Sequence, residues 1–163
     1  MSRDPASRQV SEVMTENVAT LRAQLSVADA IRTLANNRVS GMPVTADDGV
    51  VVGVVSLTDI AELLGAATPV EPPADDEPAT FYDSVRLLRL VDRLLHHASS
   101  AEKTVGDIMS TQIVSVGPDD SVGAAAQLMS KRRVHRLLVL DAKHQLVGIL
   151  SALDVVALLG ASV

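Results

Sequence analysis

The feature that most constrains this chain is a duplication held in a single register. Val13-Met14-Thr15 returns as Ile108-Met109-Ser110, an offset of 95 residues between 13 and 108. The same offset carries Ser26-Val27 onto Ser121-Val122, Arg38-Val39 onto Arg133-Val134, and Val52-Gly53 onto Val147-Gly148. It also carries Ser56 onto Ser151, Asp59 onto Asp154, and Leu63-Leu64-Gly65-Ala66 onto Leu158-Leu159-Gly160-Ala161. No gap is needed, and chance similarity does not keep register over a whole unit, so one supersecondary element is present twice. The copies occupy residues 10–66 and 105–161, with residues 67–104 between them.

Each copy reads as β-α-β-β-α, which sets the fold class as α+β. A short extended piece, Val18 to Leu21 or Ile113 to Val116, precedes a helix opened by Ser26 or Ser121. Asp29 stands three residues after Ser26, the spacing of a capping box with Asp in place of Glu. The apolar stripe Val27, Ala30, Ile31, Leu34 recurs as Val122, Ala125, Ala126, Met129, a helical period. Two apolar runs, Met42 to Thr45 and Val50 to Val55, flank the turn residues Asp47-Asp48-Gly49 and predict a hairpin. The second copy repeats this as Leu137 to Leu140 and Leu146 to Leu150 around Asp141 to Gln145. A final helix is expected from about Thr58 to Leu64, and from about Leu153 to Leu159.

The intervening segment has two parts. Thr68 to Thr80 holds Pro69, Pro72, Pro73, Asp75, Asp76, Glu77 and Pro78 and reads as an extended or disordered linker. Phe81 to His97 carries Val85, Leu88, Val91, Leu94 and Leu95 at helical spacing. This amphipathic helix either packs on the repeats or a dimer mate, or docks a separate partner protein.

Composition narrows the functional classes. Phe81 and Tyr82 are the only aromatic residues, and the net charge is −6. Stacking platforms and basic grooves are what nucleic-acid binders use, so no nucleic acid is expected. The core must be aliphatic, and a flat ligand must be gripped by aliphatic side chains and backbone. With no cysteine, disulfides and thiolate metal sites are excluded. No metal site is expected, because the adjacent His96 and His97 point to different sides of a helix. No apolar run reaches the roughly 18–20 residues of a membrane span, and no signal core opens the chain, so a cytoplasmic protein with no membrane is expected. No catalytic motif of the nucleophile-elbow, zincin or P-loop type is present, so no catalytic residue is assigned.

The stretch Gly53-Val54-Val55-Ser56-Leu57-Thr58-Asp59 has the form Gly, two apolar residues, Ser, two variable residues, Asp. Its counterpart is Gly148-Ile149-Leu150-Ser151-Ala152-Leu153-Asp154. Set in register within a duplicated β-α-β-β-α unit, these resemble the CBS (cystathionine β-synthase) domain family. The resemblance implies two CBS repeats packed with pseudo-two-fold symmetry into one Bateman module. It further implies two clefts that bind adenine nucleotides (AMP, ADP or ATP), with S-adenosylmethionine or NAD as other adenosyl candidates. A sensor of this kind is not an enzyme, needs no catalytic cofactor, forms a homodimer and signals to a regulated partner protein. The chain is also similar to the nucleotide-sensing subunit of AMP-activated protein kinase.

The resemblance assigns roles that local structure could also explain. Asp59 and Asp154 fit ribose hydroxyls, but Asp in a first helical turn is favourable on capping and dipole grounds alone. Ser56 and Thr58 either cap the helix or donate to an α-phosphate near free amides. Ser151 is retained in the second repeat, while Leu153 replaces Thr58. His135-Arg136, within Lys131-Arg132-Arg133-Val134-His135-Arg136, resembles the kinase subunit's phosphate-contacting pair and would serve the ligand held by Asp59. Lys131 and Arg132 read as ordinary cations at a helix C-terminus. Ser40 and Gly41 stand at the equivalent places of the first repeat and would accompany Ser151 and Asp154. Adenine would lie near Val13, Met14, Val18 and Thr20 or their counterparts in the other repeat. The alternative is a structural interaction or dimerisation module with no nucleotide.

Overall fold

The first repeat forms β1 (Leu21–Arg22), α1 (Val27–Asn36), β2 (Gly41–Thr45), β3 (Val51–Ser56) and α2 (Leu57–Leu63). After α3 (Ser84–Ala98), the second forms β4 (Ser115–Val116), α4 (Val122–Arg132), β5 (Arg136–Leu140), β6 (Leu146–Ser151) and α5 (Ala152–Gly160). This is a computed structural model that describes residues 4–65, 84–98 and 103–161. The α+β class and the doubled β-α-β-β-α order match expectation, in two three-stranded sheets ordered β1-β2-β3 and β4-β5-β6. β1 runs parallel to β2 with Leu21 opposite Val44, and β4 runs parallel to β5 with Val116 opposite Val139, the same pairing shifted by one repeat. β5 and β6 are antiparallel, with Leu137 opposite Leu150. The leading strands are shorter than the extended runs predicted. In the first repeat Asn17, with φ 55°, turns the chain before Val18. The proline- and acid-rich segment from Thr68 to Thr80 and the start of the Phe81 helix lie outside the described residues.

Local chemistry sets the helix ends. Ser26 caps α1: its Oγ accepts from the Asp29 amide at 3.1 Å and donates to Asp29 Oδ2 at 2.8 Å. The Ser26 hydroxyl and then the Arg32 guanidinium hold the Asp29 carboxyl below the usual carboxylate range. The stripe Val27, Ala30, Ile31, Leu34 is buried throughout. In α4, Val122, Ala125 and Met129 are buried. α3 packs on α1 and buries Val91, Leu94 and Ala98 while His96 and His97 stay exposed.

Compactness does not follow the repeat boundaries. One unit gathers residues 4–19, 46–51 and 112–161 around α4 and α5; the other gathers residues 20–45, 52–65, 84–98 and 103–111 around α1, α2 and α3. Each unit therefore contains the leading segment of the opposite repeat. In the α4/α5 unit, Val10 is fully buried with Ala125, Met129, Leu137, Val139 and Leu150. Thr15 exchanges both backbone hydrogen bonds with Ile149, at 2.9 Å each. In the α1/α2/α3 unit, Val105 is fully buried with Leu21, Ile31, Leu34 and Val44. Ser110 and Val54 exchange their bonds at 2.8 and 2.9 Å.

This exchange explains the glycine that opens each repeated motif. A β-carbon on Gly53 would lie 2.7 Å from Met109 Sδ and 2.8 Å from the Ser110 carbonyl oxygen. On Gly148 it would lie 2.6 Å from Met14 Sδ and 3.0 Å from the Thr15 carbonyl oxygen. Only a residue without a side chain lets the incoming segment lie so close on the strand. Both buried clusters are aliphatic, and no helix among the described residues is long and apolar enough to cross a membrane.

Candidate functional site

β3 ends at Ser56 and β6 at Ser151, and a helix begins at the next residue in each case. The Ser56 amide donates to Asp59 Oδ2 at 2.7 Å, the Ser56 hydroxyl donates to the same oxygen at 2.6 Å, and the Asp59 amide donates to Ser56 Oγ at 3.2 Å. The Ser151–Asp154 turn has the same three bonds at 2.7, 2.6 and 3.2 Å. These are reciprocal capping boxes, which satisfy amides that a helix start would otherwise leave unpaired. An ionised carboxylate only accepts, so the serine proton must point at the aspartate. A phosphate contact from Ser56 would require that bond to be released. Among the described residues, the other oxygen of each carboxylate, Oδ1, makes no hydrogen bond to the protein. It is the atom able to accept from a ligand hydroxyl. Both aspartates are half-buried, whereas Thr58 and its counterpart Leu153 are exposed.

The start of the middle strand lies beside each box. The Leu57 amide donates to the Ser40 carbonyl at 2.8 Å, and the Ala152 amide to the His135 carbonyl at 2.9 Å. Arg136 sits directly opposite Ser151 in the antiparallel ladder. A β-carbon on Gly41 would be 3.4 Å from Ser56 Cβ. One unit thus brings Ser40 and Gly41 to Ser56, Thr58 and Asp59, and the other brings His135 and Arg136 to Ser151 and Asp154. Pairing His135 and Arg136 with Asp59, or Ser40 and Gly41 with Asp154, joins residues of different units and rests on the resemblance. His135, Arg136, Lys131 and Arg132 are exposed. Val18 is half-buried and belongs to the α4/α5 unit, while Thr20 is exposed and belongs to the other. Val13 and Met14 pack against the α4/α5 cluster.

Two features lay beyond sequence reasoning. One is the serine proton committed to the carboxylate. The other is the close contact at Gly41, where a β-carbon would lie 3.1 Å from the Val55 carbonyl oxygen; the signal was available as the Gly41-to-Arg136 difference at the repeat offset. Thr20, Leu21, Arg22, Gln24, Leu25 and Thr33 line a shallow depression of about 430 Å³, and no residue of either box lines it. Among the described residues no group of three or more His, Cys, Asp or Glu side chains could hold a metal ion.

The CBS domain model matches residues 10–66 and 105–161. The chain is 30% identical over 155 residues to the chloroplastic CBS domain-containing protein CBSX2 of Arabidopsis thaliana, covering 90% of this chain and 61% of that protein. It is 29% identical over 130 residues to the uncharacterized protein MJ1426 of Methanocaldococcus jannaschii, covering 78% of this chain and 77% of that one. The crystal structure of CBSX2 in complex with AMP is similar with a TM-score of 0.66 and 28% identity, over 94% of this chain and 96% of that one. The CBS domain pair of MJ0100, crystallised with 5'-methylthioadenosine and S-adenosyl-L-methionine, shares the fold with a TM-score of 0.64 at 20% identity, over 94% of this chain and 97% of that one. The chain belongs to the CBS domain family and carries a pair of CBS domains.

Proposed function

We propose that this chain is a regulatory sensor, not an enzyme, which binds an adenine nucleotide and signals to a partner protein. The observation that carries this reading is the duplicated Ser-x-x-Asp box, in a chain 28% identical to a protein crystallised with AMP. Each box fixes its carboxylate by one oxygen and leaves the other for a ribose hydroxyl. Asp59 and Asp154 are the ribose acceptors in this reading, and His135 with Arg136 supplies the phosphate cations. Ser56 and Thr58 stand at the phosphate end, Ser40 and Gly41 line the neighbouring strand start, and Val18 and Thr20 flank adenine. AMP, ADP and ATP are the first candidates; S-adenosylmethionine and NAD carry the same adenosyl group.

The test is a melting screen against those ligands followed by calorimetry. A ligand at 100 times its Kd stabilises by about 2.7 kcal/mol. Charge-assisted hydrogen bonds contribute about 1.5–3 kcal/mol, so His135→Ala with Arg136→Ala should weaken a nucleotide at least about tenfold. Asp59→Ala should abolish the tight class of binding and Asp154→Ala should leave it. The reverse result would exchange the roles of the two boxes, and no stabilisation by any adenosyl ligand would defeat the sensor reading.

A homodimer belongs to the same proposal. α5 turns Leu153, Val156 and Leu159 outward, at 75%, 62% and 53% exposure. This stripe carries no charge, so two copies can meet without repulsion across a two-fold axis. The stripe also favours the second reading, an interaction module without nucleotide. Sedimentation separates the cases: Val156→Asp should dissociate the dimer and leave ligand binding in place.

A further inference from the structure

We propose that Met14 and Met109 are a matched pair of oxidation sites, at which sulfoxide formation loosens the joint between each leading segment and the strand that receives it. The oxidant is a peroxide. Neither site depends on the sensor reading above, and neither needs a ligand.

Composition leaves a mild oxidant few targets. The sequence holds five methionines, no cysteine and no tryptophan, so two-electron oxidation falls chiefly on thioethers. Met1 lies outside the described residues. Met42 and Met129 are sealed in the two cores, at 3% and 5% exposure. Met14 and Met109 are half-buried. Each packs against the cluster of its own unit and is followed by an exposed residue, Thr15 or Ser110. They are also the same position one repeat apart.

Each sulfur fills a seat that only glycine leaves. Met14 Sδ lies 2.6 Å from where Gly148 would carry a β-carbon, and Met109 Sδ lies 2.7 Å from the same point on Gly53. Both glycines are buried. The thioether therefore covers the strand backbone right beside the bridge that joins segment to strand. Those bridges are Thr15 with Ile149, and Ser110 with Val54. The same segments carry Val10 and Val105, both fully buried. With hydrogen peroxide, a sulfur lone pair attacks one peroxide oxygen, and the S–O bond forms as the O–O bond breaks. The sulfur gives up two electrons. The leaving hydroxide takes the proton of the attacked oxygen and departs as water. A formerly apolar group now carries a polar oxygen that needs a donor. The bridging amides are already committed, so the sulfoxide turns to water for one. Leaving its seat uncovers the glycine and the bridge beside it.

Peptide mapping of the full chain after graded hydrogen peroxide, with amide exchange followed by NMR on the same samples, tests this. Met14 and Met109 should be oxidised at least about tenfold faster than Met42 and Met129. The Thr15, Ile149, Val54 and Ser110 amides should then exchange at least about tenfold faster. Methionine sulfoxide reductases for both epimers, supplied with dithiothreitol, should reverse the two changes. Met14→Leu keeps the apolar volume, so it should spare the Thr15–Ile149 bridge and leave Ser110–Val54 sensitive. Met109→Leu should do the converse. If leucine prevents folding at either place, reversal by the reductases on the wild type still decides the matter. Oxidation of all the described methionines at one rate would overturn the inference, because peroxide would then reach sulfur only through global opening. Oxidised Met14 and Met109 with unchanged exchange at both bridges would overturn it too, since the joints would hold with the sulfoxide in place. Equal loss of protection at both bridges in Met14→Leu would do the same.

Discussion

Helices α2 and α5 start from identical caps and end in different surroundings. α2 buries Leu57, Ile60 and Ala61, whereas α5 has no fully buried residue and exposes Leu153, Val156 and Leu159. The linker helix packs on α1 and shares the buried cluster of α2. α3 adds Val91, Leu94 and Ala98 to the cluster that already holds Ile31, Leu34, Ile60 and Ala61. Among the described residues, the α4/α5 cluster contains none of α3. A cap is decided by groups three residues apart, but burial is decided by which other elements a unit recruits. Duplicated sequence therefore gives duplicated turns without giving duplicated surfaces.

The strongest way to break this comparison is to weaken the linker helix. Leu94 is fully buried, and truncating such a leucine costs about 2–5 kcal/mol in lost transfer energy and cavity. Leu94→Ala should lower the denaturant midpoint accordingly. A loss under about 1 kcal/mol would mean that α3 is peripheral to that cluster.

The motif glycines sharpen the comparison. Gly53→Ala and Gly148→Ala both overpack the incoming segment, at about 1–3 kcal/mol. The first should cost more, because its β-carbon meets a backbone oxygen at 2.8 Å rather than 3.0 Å. The methionine sulfur that each also meets can swing away. Urea titrations of the two variants give the order, and a larger loss at Gly148 would reverse the argument.

Smaller effects are expected at the caps. Ser56→Ala and Ser151→Ala should each cost about 0.5–2 kcal/mol, and their costs should agree because the hydrogen bonds do. Thermal melts that separate them by well over about 0.5 kcal/mol would show that the buried and exposed helices feed back on their own starts.

The smallest effect is at acid pH. Asp29 is held low by the Ser26 hydroxyl and Arg32, and Asp107 by the Thr104 amide and hydroxyl. A carboxylate with a lowered folded pKa stabilises above its ordinary value, here 3.8, and that stabilisation is lost as pH falls through the lowered one. Both lie in the α1/α2/α3 unit, and their repeat counterparts are Ala124 and Glu12. Asp29→Asn with Asp107→Asn should flatten the drop in melting temperature below about pH 4. Since both groups are exposed, added salt should shrink the Arg32 contribution. An unchanged acid limb would remove these carboxylates from the account.

Much of the candidate site was legible because it is local. The Ser26-to-Asp29 spacing predicted the cap of α1, Ser56 was one of two caps offered beside Asp59, and the apolar period predicted the buried face of α1 residue by residue. The destination of the serine proton was not legible, since cap and ligand readings use the same residues at the same spacing. The close contact at Gly41 depends on a cross-strand neighbour, and an offset alone does not say which side chains share a face.

The sequence by itself determined the duplication, the order of elements, the aliphatic core and the caps, all fixed by short spacings and periodicities along one stretch of chain. Only the tertiary structure decided that Val10 fills the core of the second repeat and Val105 that of the first. It also decided that Gly53 and Gly148 answer to those incoming segments, and that α5 keeps its apolar stripe exposed. Those outcomes depend on partners far apart in sequence, chosen by which buried surfaces and strand edges fit together. A pattern of apolar residues states that a face must be covered; it does not state by what.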